Sequence, residues 1–143
     1  MGHDAVEIDF VMPWVDGSDP AWREEFLKYR ALQAPQGEPA CDTGTAAGAV
    51  DASEERYRDW DTLRYWFRGV ERFAPWVNRI HFITWGHLPA WLDTAHPKLH
   101  VVRHADYIPS PYLPTFNSCP IELNMHRIEG LAEHFVYFND DTF

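Results

Sequence analysis

Basic residues are scarce in this sequence: 12 Lys and Arg stand against 22 Asp and Glu, a formal charge of −10 with the eight histidines neutral. That balance argues against a general nucleic-acid binder, which needs a basic face to displace counterions from the phosphates. Any anionic ligand would need its charge offset locally, by a metal ion or a few cations. Cysteine is also sparse. Cys41 and Cys119 set no disulfide framework and could pair or stay free. With no Cys-x-x-Cys in the sequence, a zinc site is not expected. No stretch approaches the ~20 apolar residues needed to cross a bilayer. The opening MGHDAVEID carries acids where a secretory leader would carry bases and then an apolar core. The chain therefore reads as cytoplasmic, or as the soluble face of something larger, and it has no internal repeat.

Apolar side chains are plentiful, at 45% of 143 residues with 15% aromatic, which is enough for one packed core and excludes disorder for most of the chain. The length suits one domain or part of one. Residues 6–12 alternate as a strand, with Val6, Ile8, Phe10 and Met12 on one face. After the loop Pro13 to Pro20, Asp19 and Pro20 predict a helix start, an acceptor side chain at the N-cap followed by a ring whose missing N–H costs nothing there. That helix is expected to reach Leu32 and to bury Trp22, Phe26 and Tyr29. Residues 34–52 turn to Gly, Ala, Pro, Thr and acids with little to bury, and read as a mobile surface insertion. A second helix is expected from Ser53 to Phe73, its apolar face made by Trp60, Leu63, Phe67 and Val70, stopped by Pro75.

Residues 79–85 predict a second strand ended by Gly86, and Leu99 to Arg103 a third. A third helix is expected from a cap at Asn117 or Ser118, with Ile121, Met125 and Ile128 buried, to Gly130. Phe135 to Phe138 makes a fourth, buried strand. Strands alternating with helices predict an α/β fold, a mostly parallel sheet with helices on both faces. In such sheets ligands sit beyond the carboxyl ends of the strands. The polar clusters fall at those ends: Asp16 to Asp19, Gly86-His87, His104 to Asp106, and Asn139 to Asp141.

Each cluster has a plain reading beside a functional one. Asp140 and Asp141 are adjacent carboxylates that raise each other's proton affinity unless a cation intervenes. They suit Mg2+ or Mn2+ shared with substrate phosphates, or else a solvated Asx turn. Trp14 could stack on a base or sugar while Asp16 accepts from a hydroxyl or imide N–H, since neither residue is needed to make the turn, and Gly17 permits close backbone approach. Arg64 pairs by default with Asp61 three residues earlier, but its planar fork could bind a diphosphate. Glu122 and His126, at i and i+4, are a surface pair, or an oriented proton acceptor if their face meets the rim. Asn117 and Ser118 offer donors for a phosphate oxygen. His81, His87, His96 and His104 read as ordinary polar or half-buried histidines.

The residues also resemble a known family. IDFVMPWVDGSDPAW (Ile8 to Trp22) is similar to the opening block of the Stealth proteins. The runs Arg58 to Gly86, Pro89 to Pro109 and Leu113 to Phe143 are similar to the second block. Residues 5–33 and 53–143 would thus be the two blocks around the 34–52 insertion. The family includes bacterial capsular polysaccharide phosphotransferases and the animal N-acetylglucosamine-1-phosphotransferase alpha/beta subunit. The resemblance implies transfer of a sugar-1-phosphate from a nucleotide sugar to a carbohydrate hydroxyl, with a divalent metal, on a fold like one Rossmann-like half of a type A nucleotide-sugar glycosyltransferase. It implies that Trp14, Asp16 and Gly17 line the nucleotide end and that Arg64, Asn117 and Ser118 approach the diphosphate. It also implies that Glu122 and His126 meet the reacting sugar phosphate and that Asp140 or Asp141 meets the metal. Phe67 departs from the family's serine, and the family's third and fourth blocks lie beyond Phe143. The chain would then be a fragment or a truncated product that binds donor weakly and turns over slowly or not at all. Two rival readings stay open: an ordinary glycosyltransferase that releases a nucleoside diphosphate, and a non-catalytic carbohydrate-binding module.

Overall fold

The computed structural model describes residues 6–33, 57 and 61–140. In chain order these form β1 (Ile8–Trp14), α1 (Pro20–Gln33), α2 (Leu63–Phe73), β2 (Ile80–Thr84), β3 (Leu99–Arg103), α3 (His104–Tyr107), α4 (Ser118–Leu123) and β4 (His134–Tyr137). Single 3-10 turns lie at Ser110–Tyr112 and Met125–Arg127. The four strands make one sheet in the order β3-β2-β1-β4, every pair parallel. The expected insertion at 34–52, Trp60, Cys41 and Asp141 lie outside the described residues.

Alternation along β1 sends its side chains to two cores. Phe10, Met12 and Trp14 face α2 and pack with Leu63, Trp66, Val70, Val77 and Phe82. Val11 faces the other way, with Ile83 and Val102, onto Tyr107, Ile108, Met125 and Ile128. Helices therefore cover both faces, as the alternation of elements predicts. Trp66 joins Leu63 and Val70 as a buried residue of α2, while Phe67 is only partly buried against the same cluster. α1 starts as expected, with the Trp22 N–H donating to Asp19 Oδ1 at 2.8 Å. It packs through Trp22, Phe26 and Tyr29 around Phe116, ring centroids 5.2–5.6 Å away.

Three expectations are corrected. The second helix, expected from Ser53, starts at Leu63, because Asp61 just before it takes a left-handed φ of 54° that no α-helix continues. The third helix does not run to Gly130: α4 stops at Leu123 and a 3-10 turn follows. The Asn124 side chain donates to the Pro120 carbonyl at 2.8 Å, a local bond that competes with continuing the helix. β4 is not a buried strand either. It pairs with β1 alone among the described strands, and Phe135 and Val136 are each 41% exposed.

A buried polar network ties the strands together at their amino-terminal half. Asp9 is fully buried and accepts from the Ala132 N–H at 2.9 Å and from Asn78 Nδ2 at 2.8 Å. Its third partner is His81 Nε2 at 2.8 Å, and His81 Nδ1 lies 2.9 Å from His100 Nδ1. Burial works against the Asp9 carboxylate, yet the Ala132, His81 and Asn78 hydrogen bonds outweigh it and hold its pKa below the ordinary range. Burial also lowers the pKa of His81, against the pull of Asp9. An ionised Asp9 beside a neutral His81 fixes the tautomers: His81 donates from Nε2, and its Nδ1 accepts the Nδ1–H of His100.

Candidate active site

With the order β3-β2-β1-β4, the chain runs from β1 through β2 to β3 on one side and then crosses back to β4 on the other, so the gap between β1 and β4 is the topological switch point. In sheets of this kind ligands bind in the crevice at the carboxyl ends of the strands there. The structure holds a cavity of about 270 Å³ at this place. Pro13, Trp14 and Val15 line it from β1, and Tyr137, Asn139 and Asp140 from β4. His104 enters from the end of β3, and Thr115, Phe116, Ser118 and Ile121 from the segment leading into α4. Aromatic packing of α1 on Phe116 fixes that wall. The Tyr57 hydroxyl adds a hydrogen bond to the Phe116 carbonyl at 2.9 Å.

A larger cavity, about 530 Å³, lies elsewhere, along α2 and the outer edge of the sheet. Arg64, Phe67, Trp91, Lys98 and Leu99 are among its walls. Volume favours it, but the crevice has the chemistry. It sits at strand carboxyl ends and gathers hydroxyl, amide, imidazole and carboxylate groups from four separate segments.

The candidate residues divide between these places. Trp14, Ser118 and Asp140 meet in the crevice. Trp14 is no open stacking platform, because its position on β1 points the ring into the α2-side core. It is 7% exposed, stacks on Phe82 at 5.8 Å and meets His87 edge-on at 5.1 Å. Asp16 does serve the turn, contrary to expectation: its Oδ1 accepts from the Ser18 N–H at 2.8 Å and the Ser18 hydroxyl at 2.6 Å. Gly17 permits a close approach, but by the chain itself. Its N–H donates to the Tyr57 carbonyl at 2.9 Å, and a Cβ there would lie 2.5 Å from that oxygen.

Arg64 stands in the first turn of α2, over Trp91 at 5.3 Å and 3.4 Å from Asp61, and is not among the described residues lining the crevice. The break at Asn124 removes the helical register that would align Glu122 with His126. Glu122 instead accepts from the Tyr137 hydroxyl at 3.0 Å, and His126 is exposed on the 3-10 turn. Asn117 caps α4, accepting from the Cys119 N–H at 3.0 Å. Cys119 itself is exposed with a free thiol.

His104 is the crevice residue that sequence reasoning set aside. Burial, reinforced by nearby His87, pushes its pKa down to about 4, so the ring is neutral at pH 7 and offers an acceptor lone pair. Its place right after a strand was the available signal. Among the described residues no three His, Cys, Asp or Glu side chains cluster into a metal cage. Magnesium asks less, one or two carboxylates when phosphates complete its shell. Asp140 is the one carboxylate among the described residues lining the crevice.

No helix among the described residues is long and apolar enough to cross a membrane. Residues 6–32 match the family model described as Stealth protein CR1, conserved region 1, and residues 56–143 match Stealth protein CR2, conserved region 2. A capsular polysaccharide phosphotransferase WcwK of Streptococcus pneumoniae is 56% identical over 136 residues, covering 95% of this chain and 37% of the relative. A receptor polysaccharide phosphotransferase WefC of Streptococcus oralis is 47% identical over 143 residues, 96% of this chain and 38% of the relative. The capsular polysaccharide phosphotransferase eps5J of Streptococcus thermophilus is 48% identical over 139 residues, 95% of this chain and 52% of the relative. This chain thus spans roughly a third to a half of the relatives it matches. Matches in both regions, the second covering more than half of the chain, make it a member of the Stealth protein family.

Proposed function

We propose that this chain forms the nucleotide-sugar half of a transferase that moves a sugar-1-phosphate onto a carbohydrate hydroxyl in capsular or exopolysaccharide synthesis. The observation that carries this reading is the crevice at the β1/β4 switch point, lined by Trp14, His104, Ser118 and Asp140, in a chain whose relatives are named polysaccharide phosphotransferases. The reaction is placed in the cytoplasm, a reducing compartment that suits an exposed free thiol at Cys119.

In the reaction, an acceptor hydroxyl attacks the phosphorus that carries the sugar. A new P–O bond forms, the P–O bond to the nucleotide breaks, and a nucleoside monophosphate leaves. The hydroxyl proton passes to a base. Catalysis of this kind rests on alignment and charge stabilisation. A divalent ion, Mg2+ or Mn2+, held by Asp140 with Asp141 as its neighbour in sequence, would supply positive charge beside the diphosphate. The chain's own groups do the positioning. Ser118 offers a hydroxyl at the crevice wall, and neutral His104 accepts a hydrogen bond without adding charge. The Glu122–Tyr137–Asn139 hydrogen bonds, 3.0 and 2.7 Å, hold the end of β4 in place. Arg64, held over Trp91 and beside Asp61, does not line the crevice, and no diphosphate contact is assigned to it.

The test is the nucleotide released when the chain is incubated with UDP- and GDP-hexoses, Mg2+ and a polysaccharide acceptor. A nucleoside monophosphate, even at slow turnover, supports phosphate transfer. A nucleoside diphosphate means glycosyl transfer and overturns the proposed reaction. Donor that neither binds nor reacts overturns the crevice as a nucleotide-sugar site.

A further inference from the structure

The outward face of α2 differs from an ordinary solvated helix face. Leu63, Trp66 and Val70 turn inward to the sheet, which leaves Arg64, Tyr65, Arg68, Arg72 and Phe73 exposed. Tyr65 is 66% exposed and Phe73 76%. Just past the helix, Trp76 is 60% exposed although its ring rests edge-on against Phe10 at 5.7 Å. Single apolar residues on a surface are normal. Three large aromatic side chains along one helix and its exit, interleaved with arginines, mark an interaction surface.

The charge is as distinctive as the rings. The whole chain carries −10, yet α2 has three arginines and Glu71 as its one acid. Arg64, Arg68 and Arg72 stand four apart and so form a row along the helix. Each lies over an aromatic ring: Arg64 over Trp91 at 5.3 Å, Arg68 over Tyr65 at 5.9 Å and Arg72 over Phe73 at 5.7 Å. Stacking of this kind orients a guanidinium without cancelling its charge. Arg64 also lies 3.4 Å from Asp61, so Arg68 and Arg72 carry most of the outward field. Between Tyr65 and Phe73 stands Gly69, where a Cβ would meet nothing within 4 Å. The middle of the face is bare backbone that a flat surface can approach closely.

Arginine beside tryptophan, tyrosine and phenylalanine is the composition that settles at the boundary between lipid headgroups and acyl chains. We propose that the outward face of α2 docks the chain on an anionic lipid bilayer, with Arg68 and Arg72 on headgroup phosphates and Tyr65, Phe73 and Trp76 entering the interface. A neutral glycan would use the rings and not the charge. A soluble polyanion would use the charge and not the rings. Single-stranded nucleic acid would use both, but it needs a basic groove along its backbone, and one row on the convex side of a helix is no groove. The inference goes beyond the crevice and does not depend on it, because no residue of α2 is among those lining it.

The experiment is co-sedimentation of the full chain with vesicles. Vesicles of equal parts phosphatidylglycerol and phosphatidylcholine are expected to bind the chain and to release it as salt rises, while phosphatidylcholine alone binds at least tenfold less. Arg68→Gln and Arg72→Gln are each expected to weaken binding about fivefold, the equivalent of ~1 kcal/mol for an arginine near a charged membrane. Phe73→Ser should weaken it several-fold at every salt concentration, since an apolar contact is not screened. Arg30→Gln on α1, another exposed arginine over a ring, should leave binding unchanged. All four substitutions are at exposed side chains, and circular dichroism confirms that each variant is folded.

No binding to either vesicle overturns the proposal, as does equal binding to both. An Arg30→Gln effect as large as that of Arg68→Gln would show general charge attraction and overturn the assignment to α2. Binding of inorganic polyphosphate or oligouridylate without binding to vesicles would show a polyanion surface and overturn the membrane as its partner.

Discussion

Replacing Asp9 by Ala tests the buried network that holds the sheet together. The side chain is 0% exposed and accepts three hydrogen bonds, from His81 Nε2, the Ala132 N–H and Asn78 Nδ2, at 2.8–2.9 Å. Asn78 is exposed and can turn to water, so its loss counts for little. His81 is fully buried and cannot, and the Ala132 N–H lies partly buried. A hydrogen bond to a charged acceptor is worth ~1.5–3 kcal/mol, and two such bonds give 3–6 kcal/mol. Relief of the carboxylate's desolvation subtracts from that total, leaving a destabilisation of ~3–4 kcal/mol.

The assay is equilibrium urea unfolding followed by circular dichroism. The pH dependence has a definite sign. The folded-state pKa of Asp9 is lowered, so the stability it contributes is fully present above the unfolded carboxyl pKa and is lost as pH falls through the folded one. The gap between the parent and Asp9→Ala should therefore hold constant from pH 8 to about pH 5 and close at lower pH. A gap below ~1 kcal/mol at pH 7 would refute the tautomer and hydrogen-bond assignment. A gap that widens on acidification would refute it equally.

Gly17→Ala puts a Cβ 2.5 Å from the Tyr57 carbonyl oxygen and should cost ~2 kcal/mol in thermal unfolding by forcing the two segments apart. An unchanged melting temperature would show that Tyr57 does not hold that position. His104 titrates at about 4 in the folded chain, below its unfolded value, so the folded state is the proton-poor one. Its contribution is complete above pH ~6.5 and disappears by pH ~4, a loss of ~3 kcal/mol that urea unfolding of His104→Asn against the parent should reveal as a flatter pH profile. A parallel pair of profiles would place His104 in solvent. Trp22→Ala removes the ring that anchors α1 to Phe116 and Tyr57. It should cost ~3–5 kcal/mol in the same assay, and a loss under 1 kcal/mol would show that α1 is not anchored there.

Local patterns carried much of the fold. The four expected strands fall within two residues of the observed ones at each end, because short apolar runs bounded by turn residues are the local signature of strands in a parallel sheet covered on both faces. Asp19 and Pro20 marked the start of α1 because a cap is a local bond. What sequence reasoning missed was settled at a distance or by competition between neighbours. Asp9 and His81 are 72 positions apart, and nothing in either neighbourhood says that they meet. Asn124 ends α4 by reaching back to Pro120, a choice that helical periodicity cannot weigh.

The site was legible in outline, through the rule that ligands sit at strand carboxyl ends, and Trp14, Ser118 and Asp140 do converge there. The role of individual side chains was less legible. Asp16 looked free for a ligand until the Ser18 turn was built. Trp14 presents no open ring face because it shares its side of β1 with Phe10 and Met12.

Amide hydrogen exchange on the whole chain, with and without a nucleotide sugar and Mg2+, tests the central claim most directly. The account predicts slowed exchange in 13–19, 115–119 and 137–140, the segments that wall the β1/β4 crevice. Protection confined to 64–73 and 91–99, along the larger cavity beside α2, would contradict it.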